Sequence, residues 1–116
     1  MQPQALHIEQ QPGAQPGQLI LRLAGPLRTN TVAKFHEVAR SDSSRSLIID
    51  LTNVPTVDSA GIGALVAAYV NRQNSDRTLA LVGVNQRIRY SLKVAWVEQL
   101  FRFFDSVHEA EAASPA

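Results

Sequence analysis

The sequence predicts an α/β domain in which a mixed β-sheet, mostly parallel with an antiparallel strand at its N-terminal edge, is packed with about four helices. Two observations predict this class. Short apolar runs alternate along the chain with longer segments that carry apolar residues at helical spacing. One of those runs, at residues 47–51, is almost unbroken and is typical of a central strand covered on both faces. Because strands separated by helices need crossover connections, the central strands are expected to be parallel.

The length of the chain fits one domain. It has 116 residues, of which 45% are hydrophobic, and this supplies enough apolar material for one core but leaves no room for a second. We therefore expect a single domain over residues 1–116, with the core formed by about 6–110 and a disordered tail at 112–116.

Two edge strands are expected before the first helix. Apolar and polar residues alternate at 6–9, and Leu19, Leu21 and Leu23 would share one face of a second strand. Between them, residues 10–18 are rich in Gln, Pro and Gly, a composition that predicts a flexible loop. The two strands could then pair as an antiparallel edge hairpin.

The first helix is predicted over residues 31–40, with Thr29 or Asn30 as its cap, because their side-chain oxygens can accept from the free amides of a first turn. Its buried stripe would consist of Val32, Phe35 and Ala39. After the buried strand at 47–51, a loop is expected at 52–57, where Pro55 cannot donate to a sheet.

The second half of the chain continues the alternation. A helix is predicted at 59–73, a strand at 79–82, a third helix capped by Asn85, and a last strand at 100–104 followed by a short helix that ends near residue 113. The predicted buried residues of the second helix are Ile62, Leu65, Val66, Tyr69 and Val70. Those of the third helix are Ile88, Leu92 and Ala95.

Composition and charge exclude several functions. Eleven Lys and Arg against ten Asp and Glu give a net charge of +1, so no direct binding of nucleic acid is expected. The chain has no Cys, and its three histidines are scattered, so neither a metal site nor a cofactor is predicted. No phosphate-binding loop or nucleophile elbow is present, which argues against an enzyme. No signal peptide or spanning segment is found, so we expect a cytoplasmic protein without membrane insertion.

The segment around Ser59 carries the most information about function. Asp58 precedes the predicted second helix and can accept hydrogen bonds from its first amides, which places the Ser59 hydroxyl near the surface at the positive end of the helix dipole. A phosphate there would change the local charge by about −1.5 to −2 and would repel Asp58. Gly61, Gly63 and Ala64 would allow close approach by the chain's own sheet or by a partner's backbone. From these residues alone, an ordinary role in capping the helix is the commoner reading of Ser59.

The same segment resembles the signature of STAS domains, and specifically of bacterial anti-sigma factor antagonists. Residues 50–65 read Asp-Leu-Thr-x-Val-x-x-Val-Asp-Ser-Ala-Gly-Ile-Gly-x-Leu, and residues 81–89 read Leu-Val-Gly-Val-Asn-Gln-Arg-Ile-Arg. The resemblance extends from about residue 6 to residue 110, and it implies the STAS-like mixed sheet with packed helices that the order of elements also predicts.

The resemblance implies a regulatory role for Ser59. In this family the matching serine is phosphorylated by an anti-sigma factor that is also a GHKL-type serine kinase. The unphosphorylated protein binds that anti-sigma factor and frees the sigma factor, and a PP2C-type phosphatase restores binding. The partner-binding residues implied here are Asp58, Ser59, Ala60, Gly61, Gly63 and Ala64.

Departures from the family pattern keep alternatives open. A basic turn follows the second strand at 25–28, and Ala95-Trp96 stands where a Gly usually ends the third helix. A transporter subunit, a subunit of another signalling complex and a scaffold that is never phosphorylated therefore remain alternatives. Trp96 itself could be an exposed anchor or a core or rim residue.

Other phosphorylation sites are also open. A receiver-like domain phosphorylated on Asp50 is a weaker alternative, because Asp50 is better explained as a carboxylate that satisfies loop amides. Thr52 and Thr56 are possible secondary phosphorylation sites.

Overall fold

The predicted mixed sheet is present in the computed structural model, which describes residues 5–113. Its five strands lie in the order β1-β2-β3-β4-β5, where β1 and β2 are antiparallel and every other neighbouring pair is parallel. Four α-helices pack on this sheet, so the predicted fold class is confirmed. The strands are β1 (His7–Pro12), β2 (Gln18–Ala24), β3 (Ser46–Asn53), β4 (Thr78–Val82) and β5 (Arg102–Phe104). The helices are α1 (Val32–Ser41), α2 (Ser59–Gln73), α3 (Gln86–Val94) and α4 (Val107–Ala113), with a 3-10 turn at Glu98–Leu100.

Both faces of the sheet are covered, which explains the unbroken apolar run in β3. Leu47 and Ile49 join a large core that includes the buried side chains of α1, α2 and α3. Ile48 points to the opposite face and joins a smaller core completed by Ala110 of α4. Because successive side chains of a strand alternate between faces, a strand buried on both sides must be apolar at nearly every position.

The edge hairpin is longer than the sequence predicted. Residues 10–12 and Gln18, which were expected in a flexible loop, lie in β1 and β2, where Pro12 pairs with Leu19. The polar residues of β1 are compatible with a strand because it is an edge strand with largely exposed side chains, and a proline is tolerated at such an edge. The connection is therefore 13–17, and the amide of Gly13 donates to the carbonyl of Gln18 at 3.0 Å.

Helix α1 begins without the predicted cap. Its N-cap residue is Thr31, and no side-chain oxygen caps its first amides. The Thr31 hydroxyl instead donates to the carbonyl of Pro26 at 2.8 Å and accepts from the amide of Arg28 at 2.9 Å. The prediction that Thr29 or Asn30 caps α1 is thus wrong, because Thr31 stabilises the preceding turn and Thr29 is bound elsewhere.

Four smaller predictions are also corrected. Val70 is 48% exposed and so does not lie on the buried side of α2, and Ala95 is exposed and follows the last residue of α3. Residues 100–101 belong to a turn before β5 instead of to the strand. At the C-terminus, residues 112 and 113 lie in α4, and the rest of the predicted tail lies outside the described residues. The predicted bounds of α2 and the predicted cap Asn85 of α3 are confirmed.

A buried arginine near the C-terminus of α2 forms hydrogen bonds with two other parts of the fold. Arg72 is 2% exposed. Its Nε donates to the carbonyl of Thr78 at 2.6 Å, its Nη1 donates to a carboxylate oxygen of Asp42 at 3.0 Å, and its Nη2 donates to the carbonyl of Ser44. Burial lowers the pKa of Arg72, and the charge of Asp42 opposes that shift. One side chain thereby joins α2, the loop before β3 and the start of β4.

Candidate functional site

The start of α2 is built on Asp58. Its backbone is extended, and its Oδ1 accepts from the amide of Gly61 at 3.0 Å, as the sequence predicted for a helix cap. The carbonyl of Asp58 also accepts the first helical hydrogen bond, from the amide of Ile62 at 2.9 Å. The first turn of α2 is therefore fixed by the residue that immediately precedes Ser59.

The second carboxylate oxygen of Asp58 binds a different part of the chain. Its Oδ2 accepts from the amide of Thr29 at 3.0 Å and from the Thr29 hydroxyl at 3.1 Å. Thr29 lies between β2 and α1, so Asp58 connects that loop to α2. This role of Thr29 could not be predicted from the sequence, because no local pattern links two residues so far apart in the chain.

The hydrogen bonds to Asp58 favour its charged form. The amide of Gly61 lowers the pKa of Asp58 most strongly, the Thr29 amide and hydroxyl lower it further, and partial burial acts in the opposite direction. The net pKa lies below the ordinary value of 3.8. A fixed negative charge therefore stands beside Ser59 at neutral pH.

This geometry predicts how the stability contributed by Asp58 depends on pH. Because its folded-state pKa is depressed, the contribution is complete well above 3.8 and is lost as the pH falls from 3.8 through the folded-state value. Asp58→Asn should therefore lower the free energy of unfolding by about 0.5–1 kcal/mol at pH 7, because asparagine can still cap the helix but loses the negative charge at the helix start and one acceptor oxygen for Thr29. The difference from the parent should shrink below pH 3.8.

Urea unfolding between pH 3 and pH 7 measures this difference. Glu37→Gln is the matched control, because Glu37 is exposed and its side chain has no ion pair or hydrogen bond within residues 5–113. A difference between Asp58→Asn and the parent that persists unchanged at the lowest pH would show that the Asp58 carboxylate is not the stabilising group.

The Ser59 hydroxyl is exposed at the first position of α2. In the described part of the chain it makes no hydrogen bond. The neighbouring Ala60 is half-buried, and Gly63 is exposed, with no atom within 4 Å of the position that a Cβ would take. Asp58, Ser59, Ala60 and Gly63 thus form one accessible surface, which we call the α2 start surface.

Two of the predicted partner-binding residues serve the chain's own fold instead. A Cβ on Gly61 would lie 2.3 Å from the carbonyl oxygen of Leu27, and Ala64 is 1% exposed. The carbonyl of Leu27 accepts from the amide of Asp58 at 3.3 Å, so the loop lies directly against the start of α2. Gly61 and Ala64 therefore offer little surface to a partner, because their small size permits internal packing.

The surroundings of Asp50 favour the structural explanation of this residue. Its Oδ1 accepts from the amide of Thr52 at 3.0 Å and from the Thr52 hydroxyl at 2.6 Å, and its Oδ2 binds Nη1 of Arg22 at 2.8 Å. Both carboxylate oxygens are thus occupied by protein groups. Thr52 is exposed and Thr56 is half-buried, and their phosphorylation stays a prediction.

Within residues 5–113, no cluster of three or more His, Asp or Glu side chains is placed to hold a metal ion. The helices of the same range are all too short or too polar to cross a lipid bilayer.

The structure is that of a small α/β domain in which the start of α2 is both anchored and accessible. Comparison with known proteins gives its family. The model of the STAS domain family matches residues 5–110, and the chain belongs to this family.

Individual relatives fall into two groups. The anti-sigma-B factor antagonist of Staphylococcus aureus (strain NCTC 8325 / PS 47) is 29% identical over 83 residues, which cover 69% of this chain and 77% of that protein. A putative anti-sigma factor antagonist from Thermotoga maritima has a similar structure, with a TM-score of 0.83, 17% identity, and coverage of 90% of this chain and 92% of that one. A sulfate transporter family protein from Wolinella succinogenes has a TM-score of 0.69 and 27% identity, covering 83% of each chain.

Proposed function

We propose that this protein is an anti-sigma factor antagonist that binds an anti-sigma factor through the α2 start surface and is released when Ser59 is phosphorylated. The observation that carries the proposal is the exposed Ser59 hydroxyl, which makes no hydrogen bond in the described range and stands at the start of an anchored helix. The similarity to the antagonist of Staphylococcus aureus supports the identity of the partner.

The anchoring by Asp58 explains how one phosphate could act as a switch. The carboxylate is held by Gly61 and Thr29, so it cannot easily turn away from a phosphate on the next residue. Two adjacent groups of negative charge would then face the partner, where a neutral hydroxyl stood before. Because the whole chain has a net charge of only +1, such a phosphate would dominate the local field.

The partners that this role requires are an anti-sigma factor with GHKL-type serine kinase activity and a PP2C-type phosphatase. In this scheme the protein is the substrate of both enzymes and catalyses no reaction itself. Its effect on sigma-factor-dependent transcription comes only from occupying the anti-sigma factor.

Labelling and binding experiments with Ser59 variants test the proposal. Purified protein is incubated with radioactive ATP and each GHKL-type serine kinase of the same genome, and one kinase should label the parent but not Ser59→Ala. Ser106→Ala is the matched control, since Ser106 also lies at the start of a helix, immediately before α4, but its hydroxyl accepts from the amide of Glu109 at 3.1 Å. With that kinase, calorimetry should show near-parent affinity for Ser59→Ala and about tenfold or weaker binding for Ser59→Glu.

Equal labelling of the parent and Ser59→Ala would place the phosphate elsewhere and refute the assignment. Equal affinity of Ser59→Glu and the parent, with both proteins equally stable in urea, would refute the charge mechanism even if Ser59 is labelled.

A STAS subunit of a transporter is the second candidate, favoured by the 27% identity to the sulfate transporter family protein. It predicts that no kinase binds or labels the protein and that its gene lies beside a transporter gene. An adjacent kinase or phosphatase gene would instead favour the switch.

A further inference from the structure

Three of the four large apolar side chains that are exposed in residues 5–113 lie close together on α3 and just beyond it. Tyr90, Val94 and Trp96 are 69%, 58% and 83% exposed, respectively. Tyr90 and Val94 are one helical turn apart, and Trp96 is the second residue after the helix ends. We call this set, with the neighbouring Arg87 and Lys93, the α3 patch. Exposed apolar residues that cluster in this way usually mark an interaction site.

Trp96 occupies a position that normally belongs to glycine. Its φ of 63° is in the left-handed region. The amide of Trp96 donates to the carbonyl of Lys93 at 3.1 Å, and the amide of Val97 donates to the carbonyl of Leu92 at 3.0 Å. These two bonds form the helix ending in which the left-handed residue is usually glycine.

Trp96 is therefore unfavourable for the fold in two respects. Its backbone conformation is strained for a residue with a side chain, and its large apolar ring is left in water. Packing within the chain does not offset either effect, because the side chain is 83% exposed. A tryptophan at this position is best explained by contact with another molecule.

The charges of the patch indicate the character of that molecule. Between Gln86 and Trp96 there are three cationic residues and no acidic one. Arg89 is already engaged, since it binds Glu98 at 2.8 Å and its guanidinium carbon lies 3.7 Å from the centre of the Phe103 ring. Arg87 and Lys93 are exposed and have no ion pair in the described range. Two available positive charges thus flank the apolar side chains.

We propose that the α3 patch docks an acidic segment of a partner protein, which inserts an apolar side chain beside Trp96 and places carboxylates against Arg87 and Lys93. Tryptophan, tyrosine and arginine are the residues most enriched among those that dominate binding energy at protein interfaces, and this patch contains all three. A second copy of the chain fits less well, because a symmetric contact would bring the same cations together. An anionic membrane also fits less well, since stable attachment needs a larger basic or lipid anchor than two cations and one indole.

The α3 patch extends away from the α2 start surface, with Arg87 near the beginning of α3 and Trp96 beyond its end. Asn85, at the beginning of α3, donates to the carbonyls of Val54 and Pro55 at 3.4 and 3.2 Å, so this end of the helix lies beside the loop that leads to α2. Trp96 follows the opposite end, roughly 13 Å away along a helix of nine residues. Docking centred on Trp96 should therefore be independent of the role proposed for Ser59.

Selection of random peptides displayed on phage tests the proposal without a known partner. The parent protein should enrich peptides with one large apolar residue among several Asp or Glu. Those peptides should bind about tenfold or more weakly to Trp96→Gly than to the parent, and equally weakly to a variant that carries both Arg87→Glu and Lys93→Glu.

Trp96→Gly should stay folded, with an equal or higher urea midpoint, because glycine removes the left-handed strain. Asp76→Gly is the matched control, since Asp76 has a φ of 56° after α2 and lies outside the patch. It should bind like the parent.

The single tryptophan of the chain gives a direct reading of where binding occurs. Its fluorescence should shift to shorter wavelength with a selected peptide, equally in the parent and in Ser59→Glu. The proposal is overturned if no acidic peptides are enriched, or if Trp96→Gly binds the enriched peptides as tightly as the parent does. It is also overturned if the shift appears only with phosphatidylglycerol vesicles, or with rising protein concentration alone.

Discussion

Replacing Arg72 by Ala should lower the free energy of unfolding by about 3–5 kcal/mol, the largest single effect that we expect. The substitution removes three hydrogen bonds at once and leaves the carbonyls of Ser44 and Thr78 without this donor. It also removes the cation bound to Asp42, whose side chain is 10% exposed. Buried polar groups that lose a partner account for most of such losses, more than the attraction of the ion pair itself.

Urea unfolding at neutral pH measures the effect, with Arg87→Ala as the control. Arg87 is exposed and has no ion pair in the described residues, so its removal should change the free energy of unfolding by less than about 0.5 kcal/mol. Arg72→Lys should lower the free energy of unfolding by less than Arg72→Ala and by more than Arg87→Ala. An ammonium keeps the charge but cannot bind three acceptors that lie in a plane. A loss below about 1 kcal/mol for Arg72→Ala would contradict the role described for this side chain.

Two glycines of α2 should respond to alanine in opposite directions. A Cβ on Gly61 would lie 2.3 Å from a backbone oxygen of Leu27, so the loop or the helix must move, at a cost of about 1–3 kcal/mol. A Cβ on Gly63 would meet no atom within 4 Å. Gly63→Ala should therefore raise the free energy of unfolding by about 0.5–1 kcal/mol, since alanine favours a helix more than glycine does.

Paired urea curves of the two variants and the parent give this comparison. The two positions are on the same helix and differ chiefly in what surrounds them, so each is the control for the other. Destabilisation by both substitutions, or by neither, would mean that contact with Leu27 does not determine the response.

The parts of the fold that follow from local sequence were predicted well. The bounds of α2 were correct because Asp58 caps the helix from the adjacent position and a polar turn ends it. The alternation of strands and helices was enough to give a mixed sheet, since crossover connections leave few arrangements of the strands. At the site, the cap and the exposed Ser59 were foreseen for the same local reason.

The features that were missed depend on residues distant in sequence. Arg72 is polar and was not assigned to the core, because its acceptors at 42, 44 and 78 come together only in the folded chain. Thr29 was expected to cap α1, but the carboxylate of Asp58 binds it instead. For Gly61, the sequence left open whether its small size served the fold or a partner. The position of the Leu27 carbonyl shows that it serves the fold.

The order of strands in the sheet has a consequence for how the chain is made. Since that order is β1-β2-β3-β4-β5, each strand after the first lies beside the strand that was synthesised just before it. Each strand pairs with a strand that is consecutive in sequence, so the loops that must close are short and the entropy lost in closing each one stays modest. The sheet can therefore grow in one direction as the chain leaves the ribosome, with β5 and α4 added last over the smaller core.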